Sequence, residues 1–220
     1  MKRERILAVI LAAAVFFLIL TASIALPIYI RPFYYLHIEA LDLPRVSGFT
    51  ADQIMQAYDE VLDYLTLPGR EFGTGVMACS QAAQDHFVDC RALFDLNAGI
   101  LLLSAGITAV LLFLRRTNRV GTLELGGYGA PFWGAAGVLT IILVVGGLAA
   151  LDFNRAFVIF HSIFFPGKDN WIFDWHRDQI IRVLPQQFFM NCAILIGTGI
   201  LVFSLGILAA EIFRHRRKGK

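Results

Sequence analysis

The sequence predicts an all-α, polytopic membrane protein: four transmembrane helices and two extracytoplasmic loops containing short helices. Three observations predict it. Of 220 residues, 57% are hydrophobic and 16% charged, with a mean hydropathy of +0.66, whereas a soluble domain runs at about 45–50% apolar and about 25% charged. Uncharged apolar runs at Ile6–Ile30, Leu96–Leu114, Leu125–Leu151 and Val183–Ala210 each reach the roughly 20 residues that cross a bilayer as helix. Lys and Arg, finally, are concentrated at the termini and in one short connection. Together these place one integral membrane domain over 1–220, with spans at about 6–30, 96–114, 131–151 and 186–210 and loops at 31–95 and 152–185.

The first span has a competitor. Met1–Arg5 is a basic n-region and Ser23-Ile24-Ala25 resembles a small-residue cleavage site. The apolar run is nevertheless longer than the usual h-region of about 7–15 residues and continues through Leu26-Pro27-Ile28, which favours a retained span. Orientation follows from the basic residues. Eleven lie in the N-terminal Lys2/Arg3/Arg5, the Arg115/Arg116/Arg119 connector and the Arg214–Lys220 tail, opposed only by Glu4, Glu124 and Glu211. Loops 31–95 and 152–182 hold eight basic and fourteen acidic residues. Both termini are therefore expected in the cytoplasm and both long loops outside. The formal net charge of +2 resolves into +8 inside and −6 outside. No basic face is left for nucleic acid, while the inner edge suits anionic membrane lipids. Three cysteines without a C-x-x-C and five scattered histidines exclude the usual zinc-finger and iron–sulfur spacings, so no metal is expected.

In the first loop, Thr50-Ala51-Asp52-Gln53 has capping-box spacing and opens an amphipathic helix with Ile54, Tyr58, Val61, Leu62 and Leu65 on one face. Pro68-Gly69 stops it. The stretch 77–94 then reads as helix continuing into the second span, which makes His86 and Asp89 i,i+3 neighbours, either a base with its orienter or a solvated pair on an exposed face. Cys79 and Cys90 fall on the oxidising side. A continuous helix would hold them about 16 Å apart, beyond bridging distance, so they either form a disulfide across an intervening turn or remain free thiols. Cys192 reads as a small packing residue of the fourth span.

The second loop carries Ala156–Phe165, ten apolar-dominated residues around one histidine. It is too short to span and reads as an interfacial or re-entrant segment. As helix it places Phe157, His161, Phe164 and Phe165 on one stripe. An ionisable group among aromatics at membrane depth is either a functional site or a histidine satisfied by backbone. Lys168-Asp169-Asn170 forms a polar turn, and Trp171, Phe173 and Trp175 read as an interfacial aromatic belt. Arg177, Asp178 and Arg182 follow, and Pro185 opens the fourth span. His37 and His176 could lie at the same level; His215 sits in the basic tail.

These residues resemble a known pattern. Phe160-His161-x-x-Phe164-Phe165, Trp171-x-Phe173, Asp178-x-Ile180-Ile181, Pro185-x-x-Phe188-Phe189 and the upstream His86-x-x-Asp89-x-Arg91 resemble the four-span bacterial family that includes the lipoprotein intramolecular transacylase. The likeness extends over nearly the whole chain, including Tyr64-Leu65. Phe87 stands where methionine is expected, and Cys79 and Cys90 fall outside the pattern. The resemblance implies transfer of the sn-2 acyl chain of a diacylglyceryl-modified lipoprotein to the α-amine of its own N-terminal cysteine, giving the lyso form. It implies His86 and His161 as the catalytic pair, one as base and one as acid. Asp89 is expected to orient His86, Arg155 or Arg177 to stabilise the oxyanion, and Trp171 and Asp178 to support the site. Passing from ester to amide is downhill, so no cofactor is expected. Two other readings are carried: a non-catalytic lipoprotein-binding or assembly protein, and a membrane thiol oxidoreductase using Cys79 and Cys90, disfavoured without a C-x-x-C motif. A transporter fits least, because internal repeats and intramembrane carboxylates are missing.

Overall fold

The computed structural model describes residues 2–218; Met1, Gly219 and Lys220, which belong to the two basic termini, lie outside the described residues. The helices are α1 (Lys2–Tyr29), α2 (Arg31–Ala40), α3 (Leu43–Ser47), α4 (Ala51–Thr66), α5 (Gln81–Arg116), α6 (Ala130–Leu151), α7 (Phe153–Phe164) and α8 (Gln186–Lys218), with a 3-10 turn at Gln179–Arg182. Four of them, α1, α5, α6 and α8, are long and apolar enough to cross a membrane, and they overlap the four expected spans. The contacts divide the described residues into two units. The first gathers those up to Leu26, Asn97–Leu151 and those from Leu195 on; the second is Pro27–Leu96 with Asp152–Ile194.

In the first unit, α1 is the most enclosed of the four long helices, with 39% of its apolar window buried against 17% in each of the others. Leu11, Val15 and Ile19 pack with Leu123, Ala135, Val138 and Ile200. Small residues let the backbones approach, since hydrocarbon offers helices little reason to associate beyond close packing. A Cβ at Gly134 would lie 2.4 Å from the Ala12 carbonyl oxygen, and one at Gly199 would lie 2.8 Å from Leu26 Cδ1. Outward positions such as Leu102, Leu103, Val144 and Leu148 are exposed, as suits lipid-facing side chains.

The connection before α6 differs from the plain basic link expected. It carries a two-stranded antiparallel hairpin, β1 (Glu124–Leu125) and β2 (Tyr128–Gly129). Gly126 and Gly127, both at positive φ (56° and 84°), make the two-residue turn, a conformation that suits a hairpin's twist and favours glycine. The Trp133 indole donates to the Leu125 carbonyl at 2.7 Å. His215, assigned only to the tail by sequence, stacks on Tyr128 at 4.6 Å and bonds Gly127 O at 3.0 Å.

In the second unit, the capping box at Thr50 forms as expected: its side chain accepts from Gln53 N while Gln53 reaches back to Thr50 N. The apolar face of α4 then meets α2, a helix the periodicity of 31–47 had not suggested. Fully buried Tyr34 stacks on Tyr58 at 3.7 Å and donates its hydroxyl to the Val183 carbonyl at 2.7 Å. Arg31 ion-pairs with Asp59 at 3.0 Å and with Asp63. Asp178, only 4% exposed, accepts from Ser80 N at 2.8 Å and Asp174 N at 3.0 Å. Ala78 and Gln179 bond each other in both directions beside it. The segment before α5 is thereby sewn to the segment after α7.

Candidate functional site

Two segments far apart in sequence meet within the second unit. His86 sits in the first two turns of α5, which begins at Gln81, so the helix expected over 77–94 forms without residues 77–80. His161 sits in the last turn of α7, which the Asp152 carboxylate caps by accepting from Arg155 N at 2.9 Å. Helix α7 is amphipathic in an unusual sense. Val158, Ile159, Phe160, Ile163 and Phe164 are exposed, whereas His161 is 7% exposed. The expected stripe is therefore only partly realised: Phe164 faces outward, while Phe165, 4% exposed, turns in with the histidine.

The two imidazoles lie 5.8 Å apart between centroids, tilted by 31°. Aromatic rings enclose both. Phe165 is 4.9 Å from His86 and 5.6 Å from His161, Phe173 is 5.6 Å from His86, and Trp171 stacks on His161 at 4.5 Å. Two members of the expected interfacial belt thus line the histidine pair instead, because each aromatic ring has more surface to bury there than at an exposed turn. Trp175 remains half-exposed.

The tautomer of the neutral His161 ring is readable. Its Nδ1 lies 2.7 Å from the Phe157 carbonyl oxygen, which only accepts, so Nδ1 carries the hydrogen and Nε2 presents a lone pair. Burial pushes the His161 pKa down, and the Phe157 hydrogen bond opposes this only in part. His86, 8% exposed, has Nε2 at 3.4 Å from Cys90 Sγ, and its buried Nδ1 has no hydrogen-bond partner among the described residues.

Asp89 does not orient His86 by a hydrogen bond. Its carboxylate accepts from Lys168 Nζ at 2.5 Å and Asn170 Nδ2 at 3.1 Å, because the polar turn after α7 offers a cation and an amide. It therefore ties α5 to the turn that precedes Trp171. Asp178 serves as a structural tie, with burial that would raise its pKa outweighed by the Ser80 and Asp174 hydrogen bonds that lower it. Arg155 and Arg177 are exposed, and neither guanidinium forms a hydrogen bond or ion pair with a described residue. His37 is satisfied elsewhere, between Phe33 O at 2.6 Å and Asn191 at 2.8 Å, and His176 is exposed.

Cys79 and Cys90 are both free thiols. Cys79 lies before α5 and points to Ser80 O at 3.7 Å, while Cys90 faces His86, so no disulfide joins them. The sequence reading set Phe165 beside His161 but missed Phe165 and Phe173 as walls of His86, a long-range contact, and it missed Lys168 and Asn170 as partners of Asp89 and Cys90 as a partner of His86. Only the last had a legible signal, the i,i+4 spacing on one helix.

The family model described as lipoprotein intramolecular transacylase Lit matches residues 9–189. The in meso structure of the membrane-integral lipoprotein intramolecular transacylase Lit from Bacillus cereus superposes with a TM-score of 0.87 at 23% identity, covering 99% of this chain and 98% of that one. Structures of the same Bacillus cereus protein with one histidine replaced by arginine or by alanine give TM-scores of 0.80 and 0.81 at 21% identity, covering 100% and 99% of this chain and 96% of each of theirs. A search of curated proteins finds no match. The solved structures share the fold, the family model covers most of the sequence, and the chain belongs to the lipoprotein intramolecular transacylase family.

Proposed function

We propose that His86 and His161 carry out this family's reaction in this chain, moving the sn-2 acyl group of a diacylglyceryl lipoprotein onto the α-amine of the same N-terminal cysteine. The amine nitrogen attacks the ester carbonyl, the carbon–oxygen bond to glycerol breaks, and the amide and lyso lipoprotein remain. Nucleophile and ester belong to one molecule and close a ring of about eight atoms, so positioning supplies much of the rate. The protein must then manage protons. An α-amine of pKa about 8 has to lose one proton to attack and a second as the tetrahedral intermediate collapses. His161 Nε2 takes the second and delivers it to the departing glyceryl oxygen, and His86 serves the acyl oxygen that becomes negative.

The observation that carries this reading is the buried pair itself: two imidazoles 5.8 Å apart in an aromatic cage, one with its lone pair left open by the Phe157 carbonyl. The exposed apolar face of α7 suits contact with acyl chains. The basic residues at the termini and the acidic balance of the two long loops support a cytoplasmic position for both termini and an extracytoplasmic position for the pair, the side on which diacylglyceryl lipoproteins are presented.

The test is mass spectrometry of a lipoprotein N-terminal peptide from cells expressing wild type, His86→Ala or His161→Ala. Wild type should yield the N-acyl, S-monoacylglyceryl form and both variants should lose it. No such form from wild type, or an undiminished yield from both variants, would defeat the proposal. A thiol oxidoreductase is disfavoured by the separate surroundings of Cys79 and Cys90; activity surviving Cys79→Ala would remove it.

A further inference from the structure

We propose that Cys90 is a positioning residue that donates its S–H to His86 Nε2, holding His86 as the neutral Nδ1–H tautomer, so that Nδ1–H stabilises the oxyanion of the tetrahedral intermediate. This rests on the proposed acyl transfer and fills the role that Arg155 and Arg177 were expected to take.

The contact is specific. Cys90 lies one turn beyond His86 on α5, with Sγ 3.4 Å from Nε2. Two hydrogen placements are conceivable at such a pair. A neutral imidazole nitrogen is a good acceptor and a thiol sulfur a weak one, so S–H donating to nitrogen is the stronger arrangement. The thiol also has no competing acceptor: a helical cysteine can turn its hydrogen to the carbonyl four residues back, yet Cys90 Sγ has no second partner among the described residues. With Nε2 accepting, the ring hydrogen is on Nδ1, the atom that is buried and unpartnered. A buried polar group left open is destabilising, and an acyl oxygen that becomes negative in the reaction would satisfy it.

The neutral state suits the surroundings. Phe165 and Phe173 stand edge-on to His86, and an apolar wall disfavours a cation. The charged or titratable groups acting on the ring are His161, Asp89 and Lys168, and Asp89 is ion-paired with Lys168, which leaves the local field nearly balanced. The two histidines then divide the work. His161 carries the proton from the amine nitrogen to the departing glyceryl oxygen, through Nε2. His86 lends a hydrogen bond throughout and transfers no proton, so the proton count closes on His161 alone. A fixed donor aimed at developing charge is the usual device for stabilising acyl-transfer intermediates.

The experiment uses full-length protein in lipid vesicles with ¹⁵N-histidine labelling. Nitrogen shifts should show His86 as Nδ1–H in wild type and Cys90→Ser, moving toward the Nε2–H form in Cys90→Ala. With a diacylglyceryl lipopeptide as substrate, Cys90→Ala should lower kcat by roughly three- to tenfold with KM unchanged, the size of one hydrogen bond, and Cys90→Ser should restore it. A His86 in the Nε2–H or cationic form in wild type overturns the proposal. So does wild-type kcat in folded Cys90→Ala, or a Cys90→Ser variant as slow as Cys90→Ala, which would mean packing alone. Absence of the lyso form from wild type would overturn the functional reading and the oxyanion role with it, whereas the tautomer result decides the Cys90–His86 bond by itself.

Discussion

Removing the Asp89 carboxylate distinguishes a tether from a histidine orienter. Asp89 holds Lys168 at 2.5 Å, with the two side chains 20% and 49% exposed, and Asn170 at 3.1 Å. A half-exposed ion pair is worth about 0.5–1 kcal/mol after solvent screening, and an amide bonded to a partly buried carboxylate about 1.5–2 kcal/mol. Asp89→Ala should therefore release the 168–171 turn at a cost of about 2–3 kcal/mol. If that cost falls wholly on the placement of Trp171 and His161, kcat/KM declines by about 30- to 150-fold. Lys168→Ala alone should cost about two- to fivefold. The assay is the mass-spectrometric rate of lyso lipopeptide formation by the purified protein, with the double variant Asp89→Ala/Lys168→Ala closing a thermodynamic cycle. In the tether account the double variant is no slower than Asp89→Ala. The reasoning is refuted if Lys168→Ala and Asn170→Ala both leave the rate within about twofold while Asp89→Ala lowers it more than about 30-fold, because Asp89 would then act on His86 directly.

Three other outcomes follow from the same geometry. Burial holds the His161 pKa below its ordinary 6.5, so its base form persists as pH falls; log kcat/KM should rise with slope one from about pH 6.5 to 7.5, set by the substrate amine, and a second break at or above 6.5 would contradict this. The linked stability has the same sign: the neutral, buried ring contributes fully above about 6.5 and loses its contribution as pH falls from there toward the lowered folded value, visible as a falling unfolding temperature in acid. Asp178→Ala removes the acceptor of two backbone N–H groups and should lower stability by about 2–4 kcal/mol, read as a drop of about 5–10 °C in thermal unfolding, with unchanged melting as the contrary result. Gly134→Val drives a side chain into the Ala12 carbonyl and should destabilise by about 1–3 kcal/mol, whereas Gly137→Ala, whose Cβ would meet Phe16 at 3.4 Å, should be tolerated; equal yields of folded protein from both would disprove the close approach.

The four spans were legible because crossing a bilayer is a local demand. About 20 apolar residues solvate a helix whatever its neighbours are, and Leu96–Leu114 or Leu125–Leu151 answer that demand by themselves. The capping box at Thr50 and the helix around His161 were legible for the same reason, since a cap and an apolar period act within a few residues. The turn of Gly126-Gly127 was written in the sequence too, but the uncharged run around it masked the hairpin. Helix α2 was less visible, because Tyr34 and Ile38 become core only once α4 provides their partners.

Composition and hydropathy pattern alone determined a four-span membrane protein, because hydropathy is a sum over neighbouring residues. Which groups meet is a different kind of fact. That His86 and His161, 75 positions apart, share one cage, that Asp89 chooses Lys168 over the imidazole three residues away, and that Trp171 and Phe173 turn inward were decided only when the turn after α7 packed on the start of α5. Those contacts arise from competition among long-range partners for the same burial and the same hydrogen bonds, and only the tertiary structure resolves that competition.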